Sequence, residues 1–140
     1  MVQTLIPRLR GRRRAVGVGI DLVEVADVAA ALASPRAGRY LELVYSEAER
    51  RDCATPDGGV DPARLAARFA AKEAAWKALG DAAMQLGWRS VEVVRGRNGQ
   101  PCLRLSAAAG RIASSLGIRR LAVSLTHEPT YAAAVVVATR

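Results

Sequence analysis

Thirteen consecutive residues, RFAAKEAAWKALG from Arg68 to Gly80, constrain the fold more than any other stretch, and they hold the only two lysines of the sequence. At about 100° per residue, Leu65, Phe69 and Trp76 share one apolar stripe of a helix. Glu73 and Lys77 lie along one edge of that stripe and Lys72 along the other. A helix with a core-facing side therefore carries one carboxylate and two ammonium groups at its border. The simplest role for them is an i,i+4 pair between Glu73 and Lys77, worth roughly 0.2–0.5 kcal/mol. A sharper role is that Glu73 binds a hard metal ion while the cations take phosphate oxygens, which requires a second carboxylate from elsewhere.

A strand supplies one. From about Ala15 to Asp21, Val16, Val18 and Ile20 alternate with Gly17, Gly19 and Asp21, so the glycines and the carboxylate share a face. Two glycines let another backbone or a ligand approach that face closely, and Asp21 ends the row at the strand terminus. Asp is also a favoured helix N-cap, and VEVADVAAALA follows with helical spacing up to Pro35. The two roles are compatible with each other, and since Mg²⁺ typically uses one or two carboxylates and completes its octahedron with phosphate oxygens and water, Asp21 with Glu73 would suffice. Glu24 then reads as a helper beside the ligands or as a first-turn acid.

Residues 1–14, with five arginines, read as a basic arm ahead of a single domain over 15–140. Ser46 and Glu49 have capping-box spacing for a short helix through Arg51, and ATPDGGVDP reads as a loop. Asp61 caps the central helix, Pro62 fits its first turn and Gly80 closes it. After a loop over 81–88, SVEVV and CLRLS form a hairpin around Asn98-Gly99. AAAGRIASSLG gives a fourth helix, and LAVSLTH with YAAAVVVA a closing pair of strands. The order β-α-α-α-β-β-α-β-β predicts an α+β domain with a largely antiparallel sheet and packed helices. His127 falls at the end of the fourth strand. It is either a hydrogen-bonded surface residue or, if Asp21 and Glu73 lie beside it, a group that moves a proton near neutral pH.

Composition narrows the function classes. Cys53 and Cys102 form no CxxC pair and His127 is the only histidine, so a reduced, cytoplasmic chain without zinc is expected. The arginine-rich start lacks the apolar core of a secretion signal. The longest purely apolar tract, Ala132 to Ala138, falls far short of the roughly 20 residues of a membrane helix. A net charge of +8 suits nucleic acid, an anionic membrane, or an acidic protein together with a phosphate-rich ligand. A basic nucleic-acid-binding module accounts for the charge but not for the carboxylates, and aromatics are only 4 % of the chain, few for base stacking.

Three separated pieces, VGVGIDLVEV, RFAAKEAAWKALG and VSLTHEPTYAAAVVV, together resemble the holo-acyl-carrier-protein synthase family of 4′-phosphopantetheinyl transferases. The resemblance runs from about Val16 to the C-terminus. It implies transfer of 4′-phosphopantetheine from coenzyme A to a serine of an apo acyl carrier protein, with release of adenosine 3′,5′-bisphosphate. By position, Asp21 and Glu73 match the family's metal-binding acids, and Arg68, Lys72 and Lys77 its basic positions, implied phosphate contacts. His127 matches the histidine that follows the family's S-[LI]-[ST] strand. Gly99 and Pro101 resemble the G-x-P turn near the adenine end of coenzyme A. The resemblance also implies a homotrimer with active sites between subunits.

Such chemistry is alignment and neutralisation of phosphate charge, with Mg²⁺ as Lewis acid and template and no covalent enzyme intermediate. A carboxylate, His127 or a metal-bound water is left to take the serine proton. Two departures from the family stand out. The segment EVADVAAALA carries Asp27 and has no arginine before Arg36 and Arg39, where relatives commonly present basic residues to the carrier. GDAAMQLGW replaces a common GTG turn. A non-catalytic binder of coenzyme A or carrier is a further alternative, against which the presence of Asp21, Glu73, Lys77 and His127 argues.

Overall fold

The structure, a computed structural model, describes residues 13–140, so the basic arm lies outside it apart from Arg13 and Arg14. Its centre is helix α4 (Pro62–Leu79). The Asp61 carboxylate accepts from the Ala63 and Arg64 amides, Pro62 stands where no amide is needed, and Gly80 ends the helix at φ +90°. Seven alanines, among them Ala70, Ala74 and Ala78, are buried along α4, which keeps the helix slim enough to be packed on nearly all sides.

Strands β1 (Ala15–Glu24), β4 (Arg120–His127) and β5 (Tyr131–Thr139) form an antiparallel sheet in the order β1-β5-β4. Its inner face lies on α4, and the alternating glycines permit the contact. A Cβ on Gly19 would stand 1.8 Å from the Ala74 carbonyl oxygen, and one on Gly17 2.5 Å from that of Ala78. We expect Gly19→Ala to destabilise by about 1–3 kcal/mol or to prevent folding. The exposed Gly38, with nothing within 4 Å of its Cβ position, is expected to gain about 0.5–1 kcal/mol as Ala. Thermal melts of the two variants test this contrast.

Helices α1 (Val25–Ala33), α2 (Ala37–Val44) and α3 (Glu47–Asp52) wrap one flank of α4, closing a core of Val25, Val28, Val44, Tyr45 and Leu65. The short α5 (Asp81–Met84) and a 3₁₀ turn at Trp88–Ser90 lead to hairpin β2 (Val91–Arg95) and β3 (Pro101–Leu105), and α6 (Ala107–Ser115) precedes β4. Trp88 lies between Phe69 and Trp76, with ring centroids 4.6 and 4.5 Å away.

The α+β class and the order of the expected elements match the structure, with four refinements. The strands form two antiparallel sheets, because among the described residues β2 and β3 pair only with each other. Strand β1 continues through Glu24, since Asp21 is still in register with Ala134 of β5. Asp21 is therefore neither a strand terminus nor a helix cap; α1 begins at Val25 after Glu24, whose side chain makes no capping bond. Helix α2 follows Pro35 and Arg36 in a stretch left without an element by the sequence pattern, and α5 occupies part of the expected 81–88 loop.

Candidate active site

Two i,i+4 rows on α4 place charge on two flanks of the sheet. The row Phe69, Glu73, Lys77 faces β1 and α1, and the row Arg64, Arg68, Lys72 faces α3 and the hairpin.

On the first flank, Asp21 and Glu73 line one open cavity of about 600 Å³ with Glu24, Asp27, Tyr40 and Phe69. Asp21 belongs to the face that Gly17 and Gly19 keep close to α4, so its carboxylate meets the second half of the helix. Lys77 donates to Asp21 Oδ1 and to the Ile20 carbonyl, both at 2.9 Å. This ion pair replaces the expected Glu73–Lys77 pair, which does not form among the described residues. The closeness of strand and helix brings Lys77 across instead of along its own helix. Partial burial raises the pKa of Glu73, and the neighbouring Asp21 charge adds to the rise while Lys77 opposes it. Glu73 thus carries charge that its surroundings do not fully compensate, the condition a divalent cation relieves. Among the described residues no group of three or more His, Cys, Asp or Glu side chains converges on one metal position. Asp21 and Glu73 could supply two hard oxygen ligands, a set that fits Mg²⁺ when a phosphate-bearing substrate and water complete its shell.

On the second flank, Arg64, Arg68, Arg95, Gly99, Pro101 and His127 line a smaller cavity of about 250 Å³ with Val93, Val94 and Leu125. Asp52 of α3 sits 3.6 Å from Arg68 and 3.4 Å from Arg95 and so orients both guanidiniums. Arg68 is 8 % exposed, and its Nε is buried without a hydrogen-bond partner among the described residues. Three guanidiniums answered by one carboxylate make this cavity suited to an anion. The turn that bears Gly99 is held by the Gly96 amide donating to the Gln100 carbonyl at 2.7 Å.

The structure corrects the placement of Lys72. Its side chain is fully buried and points into the protein, 2.9 Å from Glu49 Oε2, and it donates to the Val91 and Trp88 carbonyls as well. With three acceptors for its three donors, the ammonium has none left for a phosphate. Burial lowers its pKa while the Glu49 charge opposes the fall.

His127 is exposed at the end of β4, level with Ala132 of β5 and Val23 of β1. From strand spacing and rise, its backbone lies on the order of 12 Å from that of Asp21. Within one chain, therefore, His127 joins Arg68 and Gly99 and not the carboxylate pair. The sequence reading missed Arg64, Arg95 and Asp52. The spacing of Arg64 and Arg68 was a usable signal, whereas the roles of Arg95 and Asp52 follow from packing between distant segments.

Comparison with known proteins identifies the family. Residues 17–136 match the family model of the 4′-phosphopantetheinyl transferase superfamily. The chain is 45 % identical over 132 residues to the holo-[acyl-carrier-protein] synthase of Chloroflexus aurantiacus, covering 86 % of this chain and 95 % of that one. Among solved structures it resembles the Helicobacter pylori holo-[acyl-carrier-protein] synthase in complex with coenzyme A, with a TM-score of 0.72, 27 % identity, and coverage of 86 % of this chain and 98 % of that one. The Neisseria meningitidis synthase gives a TM-score of 0.77 at 25 % identity, covering 91 % of this chain and 100 % of that one.

Proposed function

Because the chain belongs to the 4′-phosphopantetheinyl transferase superfamily and is an enzyme of the holo-acyl-carrier-protein synthase type, we propose that it moves 4′-phosphopantetheine from coenzyme A to a serine of an apo carrier protein in a Mg²⁺-dependent reaction. The serine hydroxyl gives its proton to a nearby base, its oxygen forms a bond to the pantetheine-bearing phosphorus, the P–O bond to the second phosphate breaks, and adenosine 3′,5′-bisphosphate leaves with the bonding electron pair. The observation that carries this reading is the convergence of Asp21 and Glu73 beside Lys77.

Asp21 and Glu73 would hold the metal, which supplies Lewis-acid neutralisation of the phosphate oxygens. Lys77, 47 % exposed at its side chain and paired with Asp21, would contribute its ammonium to a phosphate beside the two carboxylates. Arg64, Arg68 and Arg95 neutralise phosphate on the other flank, with Gly99 and Pro101 beside the adenosine end and His127 near the phosphates.

The separation of the two flanks on one chain supports sites completed between subunits, as does the outer face of the three-stranded sheet. Val16, Val18, Ile20 and Leu22 alternate with the inward residues of β1 and are 38, 62, 67 and 66 % exposed. Fully burying such a side chain is worth roughly 1.5–3 kcal/mol, so this stripe favours association. We assign it to a homotrimer of the family type.

The free Cys53 and Cys102, and the lack of a helix long and apolar enough to cross a membrane among the described residues, fit the proposed cytoplasmic location. A nucleic-acid role is disfavoured, since Phe69, Trp76 and Trp88 stack on one another instead of forming an exposed platform. The reading is tested by chromatography of the nucleotide product. Adenosine 3′,5′-bisphosphate is expected to appear only when apo carrier, coenzyme A and Mg²⁺ are present together. Its absence with every carrier of a broad panel would overturn the reading.

A further inference from the structure

Lys72 and Glu49 form a fully buried ion pair that the proposed chemistry does not use. Lys72 adjoins Glu73 in sequence, yet the two side chains leave α4 in different directions, one into the core and one into the carboxylate cavity. The bonds of the pair tie α4 to α3 and to β2, the elements that carry Arg68, Asp52 and Arg95 at the anion cavity. Glu49 Oε1 accepts the Val93 amide of β2 at 2.8 Å, and Oε2 accepts the Ser46 amide at 2.8 Å in a capping box that starts α3. Lys72 holds the carbonyls of Val91 and Trp88. One turn beyond Glu49, Asp52 sits between Arg68 and Arg95, and Val93 itself lines the cavity.

We propose that the Lys72–Glu49 pair is a positioning device. It holds α3 and the β2–β3 hairpin in register with α4 and thereby sets the affinity of the Arg68–Arg95–Gly99 side for coenzyme A without touching the ligand. Stability alone is a poor reason for such a pair, because well-packed neutral residues of similar volume usually serve as well or better. Directional bonds from one buried ammonium and one buried carboxylate to four backbone groups fix relative placement in a way that apolar contacts do not.

The inference rests on the proposed transfer reaction, and its test separates the two. The double variant Lys72→Met with Glu49→Gln removes both charges while leaving an amide oxygen for the Val93 N–H. Glu49→Asp, which keeps both charges but shortens the reach to the Val93 amide, is the milder companion, should the double variant fail to melt cooperatively. In a variant that does melt cooperatively, KM for coenzyme A is expected to rise roughly tenfold or more, while kcat at saturating coenzyme A stays within about threefold. Amide hydrogen exchange is expected to quicken at Val93 and Arg95 and to remain slow within α4. Wild-type KM with unchanged exchange at the hairpin would overturn the proposal, and so would a loss of kcat at unchanged KM. If the wild-type protein transfers nothing to any carrier, the proposed reaction fails, and the exchange measurement alone then decides the positioning role.

Discussion

Glu73→Gln reduces metal-dependent transfer by at least about 10²-fold while leaving the protein folded, the largest expected effect of any single substitution outside the core. The carboxamide keeps the shape of the side chain but removes the anion that faces Asp21. The same charge has a consequence for stability. Glu73 has a raised pKa in the folded protein, mainly from partial burial and then from Asp21. The folded state therefore holds this proton more tightly than the unfolded chain does. The stabilising effect is present below the unfolded pKa and is lost as pH rises through the folded one. At pH 7 without metal, Glu73→Gln is thus expected to melt at or above the wild-type temperature. Mg²⁺ is expected to raise the wild-type midpoint and to leave the variant unmoved. Melting curves with Mg²⁺ or chelator check both signs, and a variant that responds to Mg²⁺ as the wild type does would remove Glu73 from the metal site.

A charge on the outer sheet face is expected to have an effect of similar size by another route. Ile20 is 67 % exposed in one chain and lies at the middle of the Val16–Leu22 stripe. Ile20→Lys leaves the inner face untouched, since Gly19 and Asp21 point the other way. Analytical ultracentrifugation is expected to find the wild type as a trimer and the variant as a folded monomer. Transfer by the variant is expected to fall about 10²-fold, because the carboxylate flank and the arginine flank then belong to no common site. A wild-type monomer with full activity would refute the shared-site arrangement.

The periodic features were legible in the sequence, and the contacts that override periodicity were not. Alternation of Gly17, Gly19 and Asp21 revealed the inward face of β1, and Asp61, Pro62 and Gly80 bracketed α4 to within a residue. The end of β1 was misplaced because a local preference of Asp for helix caps competed with pairing to β5, a strand more than a hundred residues away in sequence. Helix α2 was hidden by Pro35 and by the helix-weakening Gly38, although Tyr40, Leu41 and Val44 have the spacing of a buried face.

Lys72 is the instructive case at the site. Its sequence position reads as a helix edge, and a charge there usually means solvent. What buries it is a carboxylate 23 positions earlier together with two carbonyls of the segment entering the hairpin, and no local pattern reports those partners. The same limit applies to His127. Its strand end was readable, but its partition to the arginine flank depends on the order β1-β5-β4, which places a strand between it and Asp21.

Transfer of phosphopantetheine by way of the paired carboxylates Asp21 and Glu73 is expected to require Mg²⁺. Its most direct test is intact-protein mass spectrometry of apo carrier proteins incubated with the wild-type protein and coenzyme A, with Mg²⁺ or with chelator. A mass gain of one phosphopantetheine arm on at least one carrier, present with Mg²⁺ and absent with chelator, is the predicted result. Transfer that persists undiminished in chelator, or no gain on any carrier of the panel, would contradict the account.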